Sequence, residues 1–583
     1  MNCLLVPALL LAANSILSAD PIVSASPQKW LPVTLDFEGP AAEASGSNPN
    51  PFLGYRLQVL FTAPSGAQCT VPGYFDGDGN GGYTGSVWRV VFAPFETGEW
   101  RFKVSFRKGE AVAVDLDPNA GDPAAFDGAE GTFTVAPQDS SASGFYASGR
   151  LEYVGGHYLK FRDGDYYLKG GTDSPENLLA YAGFSNTRGR HTYEAHIADW
   201  REGDPDWRDG AGKGIIGALN YLASEHVNSI YFLPMNIGGD GKDVWPYLGD
   251  IDGAGNDAND NLHFDLAKLR EWGIVFGHAQ RKGLMLHFVL NEAEEANKRE
   301  LDEGELGVER KLYYRELVAR FGHFPALQWN LCEEYNLHFK LDPDMVKAWA
   351  DYLHAVDPYD HPVTVHHAST VEKAWTPFLA DKRFAVTSFQ TEDIGVVARW
   401  RAQSREGGFP QVIGMDEFFP DKAHADNAER HRREYTWPIY LSGGTLEYIL
   451  DALLKTENFR HYERHWRDMA NARAFLEALP FWEMEPMPEL LAGESEYTGT
   501  NNTVTGQVFA KHGEVYALYL PDTAQTGTLG FSGVEGEFTQ RWYNPRTGEF
   551  AGETSSIIGG GSVALGAPPG DAGEDWAVLI TRR

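Results

Sequence analysis

Trp-Asn-Leu-Cys-Glu-Glu-Tyr-Asn (329–336) decides the architecture. Its apolar part belongs to a short run, Ala326–Cys332, that reads as a buried strand and stops at two glutamates, Glu333 and Glu334. A helical period precedes it at Arg310–Phe321 and another follows at Met345–Val356. A buried strand between amphipathic helices is one β/α unit.

The same unit recurs on both sides. Strands are predicted at Tyr166–Gly170, Asn228–Met235, Leu284–Asn291, Ala326–Cys332, Pro362–His366, Phe384–Gln390, Gln411–Met415 and Gly444–Ile449. Helices are predicted at Ile215–Glu225, Leu266–Lys282 and Phe459–Leu479, besides the two already named. Eight strands, mostly separated by helical stretches, predict a closed (β/α)8 TIM barrel over 166–483 rather than an open sheet. No G-x-G-x-x-G follows the first strand, which argues against a dinucleotide fold.

The flanks read differently. Residues 26–136 alternate apolar and polar positions at Tyr55–Thr62, Ser86–Phe92 and Trp100–Phe106, which predicts a β-sandwich. A connecting stretch covers 137–165. The β pattern returns over 484–583, at Val504–Ala510, Val515–Tyr519, Phe538–Tyr543 and Trp576–Thr581. The fold class is thus multidomain: a barrel between N-terminal and C-terminal β-sandwich domains. Asp76–Gly82 copies the start of an EF-hand loop, but Val87 stands where the last acidic ligand belongs, so a Gly/Asp turn is the plainer reading. The Asp/Asn/Gly-rich Asp250–Asn261 reads as a surface loop.

The 583-residue chain carries 49 basic and 82 acidic residues, a formal charge of -33. Such a surface repels nucleic acid and anionic membranes. Residues 1–25 open on a short apolar run ending in small residues, which reads as a signal peptide and a secreted or periplasmic location. No later segment is long enough for membrane insertion. Of three cysteines, Cys3 would leave with the leader, and Cys69 and Cys332 fall in different predicted domains, so no disulfide is expected. No zinc-type Cys/His cluster or H-E-x-x-H is present, and neither a cofactor nor a metal site is expected, with calcium binding at the two Asp/Gly-rich loops left open.

Strand C-termini of a barrel converge on one open face, where sites are built. Val-Ile-Gly-Met-Asp-Glu-Phe-Phe (412–419) delivers Glu417 to that face from strand seven, opposite the strand-four pair. Two facing carboxylates can cleave a glycosidic bond, one as acid/base and one as nucleophile. Glu334 is the candidate acid/base, with Glu333 as the alternative. Strand alternation expects only one of them to project over the mouth, its neighbour meeting a helix N-terminus or a cation on the next loop. Asp416 has the opposite parity to Glu417 and is expected to anchor the strand end. Asp173, Glu176, Asn177, Asn236, Asn291, His366, Gln390 and Glu447 sit at or near other strand ends and, with Glu333, are candidate sugar-binding groups. His366 is also placed to support the nucleophile, whereas His287 reads as a core histidine. Trp245, Tyr335 and Trp400 are candidate aromatic platforms.

At these residues the chain resembles a group of secreted bacterial proteins described as "putative glycoside hydrolases". Their N-terminal β domain has no known function. Their barrel is similar to the clan A retaining hydrolases, and their C-terminal β domain is labelled "putative collagen-binding". The resemblance rests on Leu168–Leu179, Gly212–Leu222, Asn236–Pro246, Tyr313–His323, Trp329–Tyr335 and Asp416-Glu417. It implies Glu334 as acid/base, Glu417 as nucleophile and a carbohydrate substrate. In clan A an Asn precedes the acid/base; Glu333 stands there, and Cys332 replaces the expected Gly. The expectation is a secreted retaining hydrolase of a poly- or oligosaccharide. A noncatalytic carbohydrate-binding protein and an inverting hydrolase or transglycosylase are the alternatives. The oligomeric state is left open.

Overall fold

The structure is a computed structural model that describes residues 21–139, 142–249, 259–368, 370–418, 420–570 and 572–583. Most of the leader, Cys3, most of the 250–261 loop and Phe419 lie outside the described residues.

Eight parallel strands form the barrel: Gly170–Thr172 (β1), Ser229–Phe232 (β2), Met285–Val289 (β3), Leu327–Asn330 (β4), Val363–Thr364 (β5), Phe389–Gln390 (β6), Gly414–Glu417 (β7) and Thr445–Tyr448 (β8). They pair in the order β5-β4-β3-β2-β1-β8-β7-β6. A parallel bridge between His366 and Ser388 closes the ring between β5 and β6. Helices cover the outer face of the closed sheet and side chains fill its interior, which is why these strands are buried at nearly every position rather than at alternate ones. Helices Lys213–Ser224, Leu266–Lys282, Val308–Phe321, Pro343–Val356, Gly395–Glu406 and Glu463–Glu477 supply most of the outer layer. Asp265 caps one by accepting from the Lys268 N–H, and Gly283 ends it at φ 78°.

One expectation about the first strand fails. Tyr166–Tyr167 belongs to a separate antiparallel sheet with Leu151–Tyr153 and Leu159–Phe161, and the barrel begins only at Gly170. The other two strands of that small sheet lie within the stretch read as a linker. The sheet packs Leu151, Leu159, Phe161 and Tyr167 against Met285, Ala326, Val386 and Val412, at or beside the N-terminal ends of the barrel strands. It therefore floors the barrel, and the opposite end is left as the mouth.

The N-terminal domain is a sandwich. One sheet joins Ile22–Val23, Val33–Glu43, Thr84–Phe92 and Tyr74–Phe75; the other is built on Tyr55–Thr62 and Gly98–Lys108. Trp100, Phe102, Val104 and Phe106 alternate inward, as the period-2 reading expects. Asp76 pairs with Arg89 and with Arg320 of the barrel, so its carboxylate ties the domain down. The C-terminal domain has a six-stranded antiparallel sheet centred on Val515–Leu520 and Trp576–Arg582, facing a three-stranded one. Arg432 of the barrel grips its Asp575 with two 2.9 Å hydrogen bonds. Cys69 and Cys332 are unpaired.

Candidate active site

The barrel interior below the mouth is charged. Lys169, just before β1, pairs with Asp416 on β7 and with Glu447 on β8, the latter at 3.1 Å. Glu447 also accepts from Ser229 and from His287 Nδ1, which lies 2.8 Å away. Burial opposes its charge, but Lys169 and His287 prevail and hold its carboxyl down at about 2. Glu447 is thus part of the framework and not a sugar ligand. Asp416 anchors β7 through Lys169, which turns the next residue, Glu417, outward.

Above this layer the chain leaves β4 in a turn. Glu334 adopts φ 39°, a left-handed backbone that is uncommon for a residue with a side chain. Lys298 fixes it, donating its ammonium to the Glu334 carbonyl at 2.8 Å and to the Leu337 carbonyl at 2.7 Å. The turn ends the strand alternation, so both Glu333 and Glu334 face the mouth. The parity rule expected one, and the backbone at Glu334 is the reason it does not hold.

Glu334 and Glu417 meet at one nitrogen. Gln390 Nε2 donates to Glu334 Oε1 at 2.8 Å and to Glu417 Oε2 at 2.7 Å. Arms of those lengths hold these two oxygens no more than about 5.5 Å apart, close enough for both carboxyls to flank one acetal. His366 stands behind them. Its Nδ1 accepts from the Glu334 N–H at 3.3 Å, which leaves its proton on Nε2, 3.5 Å from Glu417 Oε2. Burial pushes the His366 imidazole well below its ordinary value, so it is neutral. His367 Nε2 accepts from the Gln390 N–H and so positions the bridging residue.

The rest of the mouth is acidic. Glu333, His366 and Glu417 offer atoms that all lie within 4.8 Å of one another, as do Glu176, Glu292 and Glu333. Burial, and then Glu176 and Glu334, push Glu417 well up, against donation from Gln390. Burial, and then Glu417 and Glu176, do the same to Asp173. Burial with Asp240, Glu294 and Glu334 takes Glu176 to about 8, and burial with Asp240 takes Glu294 to about 7.

Acids raised in this way hold protons that the unfolded chain has already released. Their contribution to stability is full below the ordinary carboxylate range and is lost as pH climbs through these raised values. In metal-free buffer the melting temperature of the wild type should fall more steeply than that of Glu176→Gln between about pH 5 and about pH 8. Equal slopes would show that Glu176 carries none of the charge conflict.

Of the other predicted ligands, Asp173, Glu176, Glu333, His366 and Gln390 gather at the mouth with the two glutamates. Asn177, Asn236 and Asn291 do not offer free groups there. Asn177 bridges Asp243 and His191. Asn236 binds Asp243 through its Nδ2 and accepts from the Asp243 and Val244 N–H groups. Asn291 accepts from Arg310 and donates to Asn297. These three amides shape the loops that carry the mouth. Trp245, Tyr335 and Trp400 are all buried, so none presents a platform. Residues outside the predicted set join the site: Glu294, Lys298 and Tyr231 on β2. Asn-Glu-Ala-Glu-Glu (291–295), directly after β3, was the signal for the first. A lysine acting on backbone carbonyls leaves no such signal.

These features define a class: a (β/α)8 barrel between two β-sandwich domains, with opposed glutamates at its mouth. Residues 26–107 match the family described as "Domain of unknown function (DUF5060)". Residues 494–581 match the family described as "Putative collagen-binding domain of a collagenase". A crystal structure titled as a putative glycoside hydrolase from Bacteroides vulgatus ATCC 8482 aligns with TM-score 0.62 and 17% identity, covering 96% of this chain and 100% of that one. A glycoside hydrolase family 5 structure from the same organism aligns with TM-score 0.53 and 12% identity, covering 76% of this chain and 95% of that one. At such identities the likeness establishes the shared fold. No curated protein sequence matches the chain. Among the described residues no helix is long and apolar enough to cross a membrane.

Proposed function

We propose that this chain is a glycoside hydrolase that cleaves a poly- or oligosaccharide with retention of anomeric configuration. The observation that carries the proposal is the Gln390 amide held by both Glu334 and Glu417. Two oxygens held on one amide nitrogen favour direct attack, for which carboxyl groups about 5 to 5.5 Å apart are suited, whereas an inverting pair stands about 6.5–9.5 Å apart to admit a water. Glu334 is the acid/base because it is the more exposed of its pair, where a leaving group departs. Glu417 is the nucleophile; Gln390 and the His366 Nε2–H favour its ionised form, against the burial and the neighbouring acids Glu176 and Glu334 that oppose it.

Glu334 gives its proton to the glycosidic oxygen as a Glu417 oxygen attacks the anomeric carbon. The glycosidic C–O bond breaks and a glycosyl ester forms on Glu417. Glu334, now a carboxylate, takes a proton from water, whose oxygen attacks the same carbon and frees Glu417. Secretion or periplasmic export is part of the proposal and rests on the apolar leader in 1–25.

The test is reducing-sugar release across plant, algal and bacterial polysaccharides. On a substrate the wild type cleaves, Glu334→Gln should lose about 10²–10⁴-fold, least where the leaving group needs no protonation. Saturable binding to an insoluble polysaccharide, with no sugar released from any, would instead favour a noncatalytic binding protein.

A further inference from the structure

The carboxylates beyond Glu334 and Glu417 outnumber what hydrolysis requires. Glu176, Glu292 and Glu333 reach one point from three separate loops, after β1, β3 and β4, with one oxygen from each all within 4.8 Å of the others. Two buried polar atoms mark the point as a ligand position, the first of them on a residue outside that grouping. Tyr231 is 3% exposed, and its hydroxyl has no partner among the described residues. It shares strand parity with Ser229, whose hydroxyl meets Glu447, and its ring lies edge-on to His287 and His366, so it points into the barrel interior where His366 and Glu333 stand. Glu292 is 1% exposed, and its Oε1 likewise has no partner among the described residues.

The Glu292 carboxylate is also held in place. Its Oε2 accepts from the Asp240 N–H at 2.9 Å. A Cβ at Gly239 would lie 1.2 Å from that oxygen, so only glycine lets the loop wrap it. Oε2 is thereby fixed, and Oε1 is left without a partner among the described residues. The nearby ammonium, Lys298, faces the backbone carbonyls of Glu334 and Leu337. A buried charge without a partner costs far more than a surface one.

We propose that Glu176, Glu292 and Glu333, with the Tyr231 hydroxyl beside them, bind one hard divalent cation of the calcium type at the barrel mouth. Oxygens up to 4.8 Å apart can share one ion at about 2.3–2.6 Å, the calcium–oxygen range. Magnesium demands about 2.0–2.1 Å and near-octahedral order, which three acids from three loops suit less well. Carboxylates and a phenol offer only hard oxygens, so softer metals are disfavoured. Glu333 also belongs to the group with His366 and Glu417. The ion would thus sit beside the proposed nucleophile and add to the positive charge that Lys422 brings to Glu417. Binding does not depend on the hydrolase reading; only the consequence for Glu417 does.

The test is calorimetric titration of the full-length protein, stripped with EDTA, with calcium chloride and then with magnesium chloride, alongside melting curves. Calcium should bind with a stoichiometry that falls by one ion in Glu292→Gln and in Glu176→Gln, or with at least tenfold weaker affinity at that site, and should raise the melting temperature of the wild type more than that of either variant. Circular dichroism checks that each variant is folded, and the two are read separately so that one misfolded variant does not end the test. No calcium binding, or binding equal in wild type and a folded variant, overturns the proposal. The readout is binding, so failure here leaves the glycosidase proposal standing, and loss of the glycosidase proposal leaves this one standing.

Discussion

Glu417→Gln is expected to lose at least about 10⁴-fold in turnover on any polysaccharide the wild type cleaves, with the melting temperature little changed. Glutamine keeps the shape and can still meet Gln390 and His366 by hydrogen bonding. It cannot form the glycosyl ester. The loss should exceed that of Glu334→Gln, because leaving-group protonation can be bypassed and the nucleophile cannot. Stability should hold or improve, since burial beside Glu176 and Glu334 works against charge at Glu417. Initial-rate assays and a thermal melt check both halves. A variant with full activity would remove Glu417 from the reaction.

Lys169→Met is expected to destabilise the protein by about 3–5 kcal/mol, read from denaturant midpoints with the slope unchanged. Lys169 is the ammonium between Asp416 and Glu447. Removing it leaves two buried acids facing each other with only His287 between them and neutrality. Adding Glu447→Gln to Lys169→Met should recover part of the loss, because the remaining charge conflict is smaller. Additive losses would show that the two side chains do not act as a unit. Because Asp416 anchors the strand that ends in Glu417, the same substitution should also lower turnover.

The barrel was legible in the sequence because its strands are short apolar runs between helical periods, and both sandwiches because their strands alternate. Tyr166–Gly170 misled because Tyr-Tyr-Leu satisfies a floor strand and a barrel strand equally, and only packing against Met285 and Val412 separates them. Glu334 and Glu417 were legible as strand-end acids. The meeting point was not: a glutamine at 390 reads as any polar residue until its amide is seen between two carboxylates. Alternation failed at Glu333 because a left-handed residue at 334 and a lysine thirty-odd positions earlier in the chain set the turn. The asparagines and aromatics failed for the opposite reason. Residue type alone does not tell a side chain that meets a ligand from one that holds the loop carrying it, and Asn236 and Trp245 do the second.

The most direct measurement is proton NMR of the first sugar released from a substrate of known linkage, recorded before mutarotation. A double displacement through Glu417 delivers the product in the configuration of the starting bond. A product that first appears in the opposite configuration would mean that water attacks in a single step, and would contradict the roles given to Glu334 and Glu417.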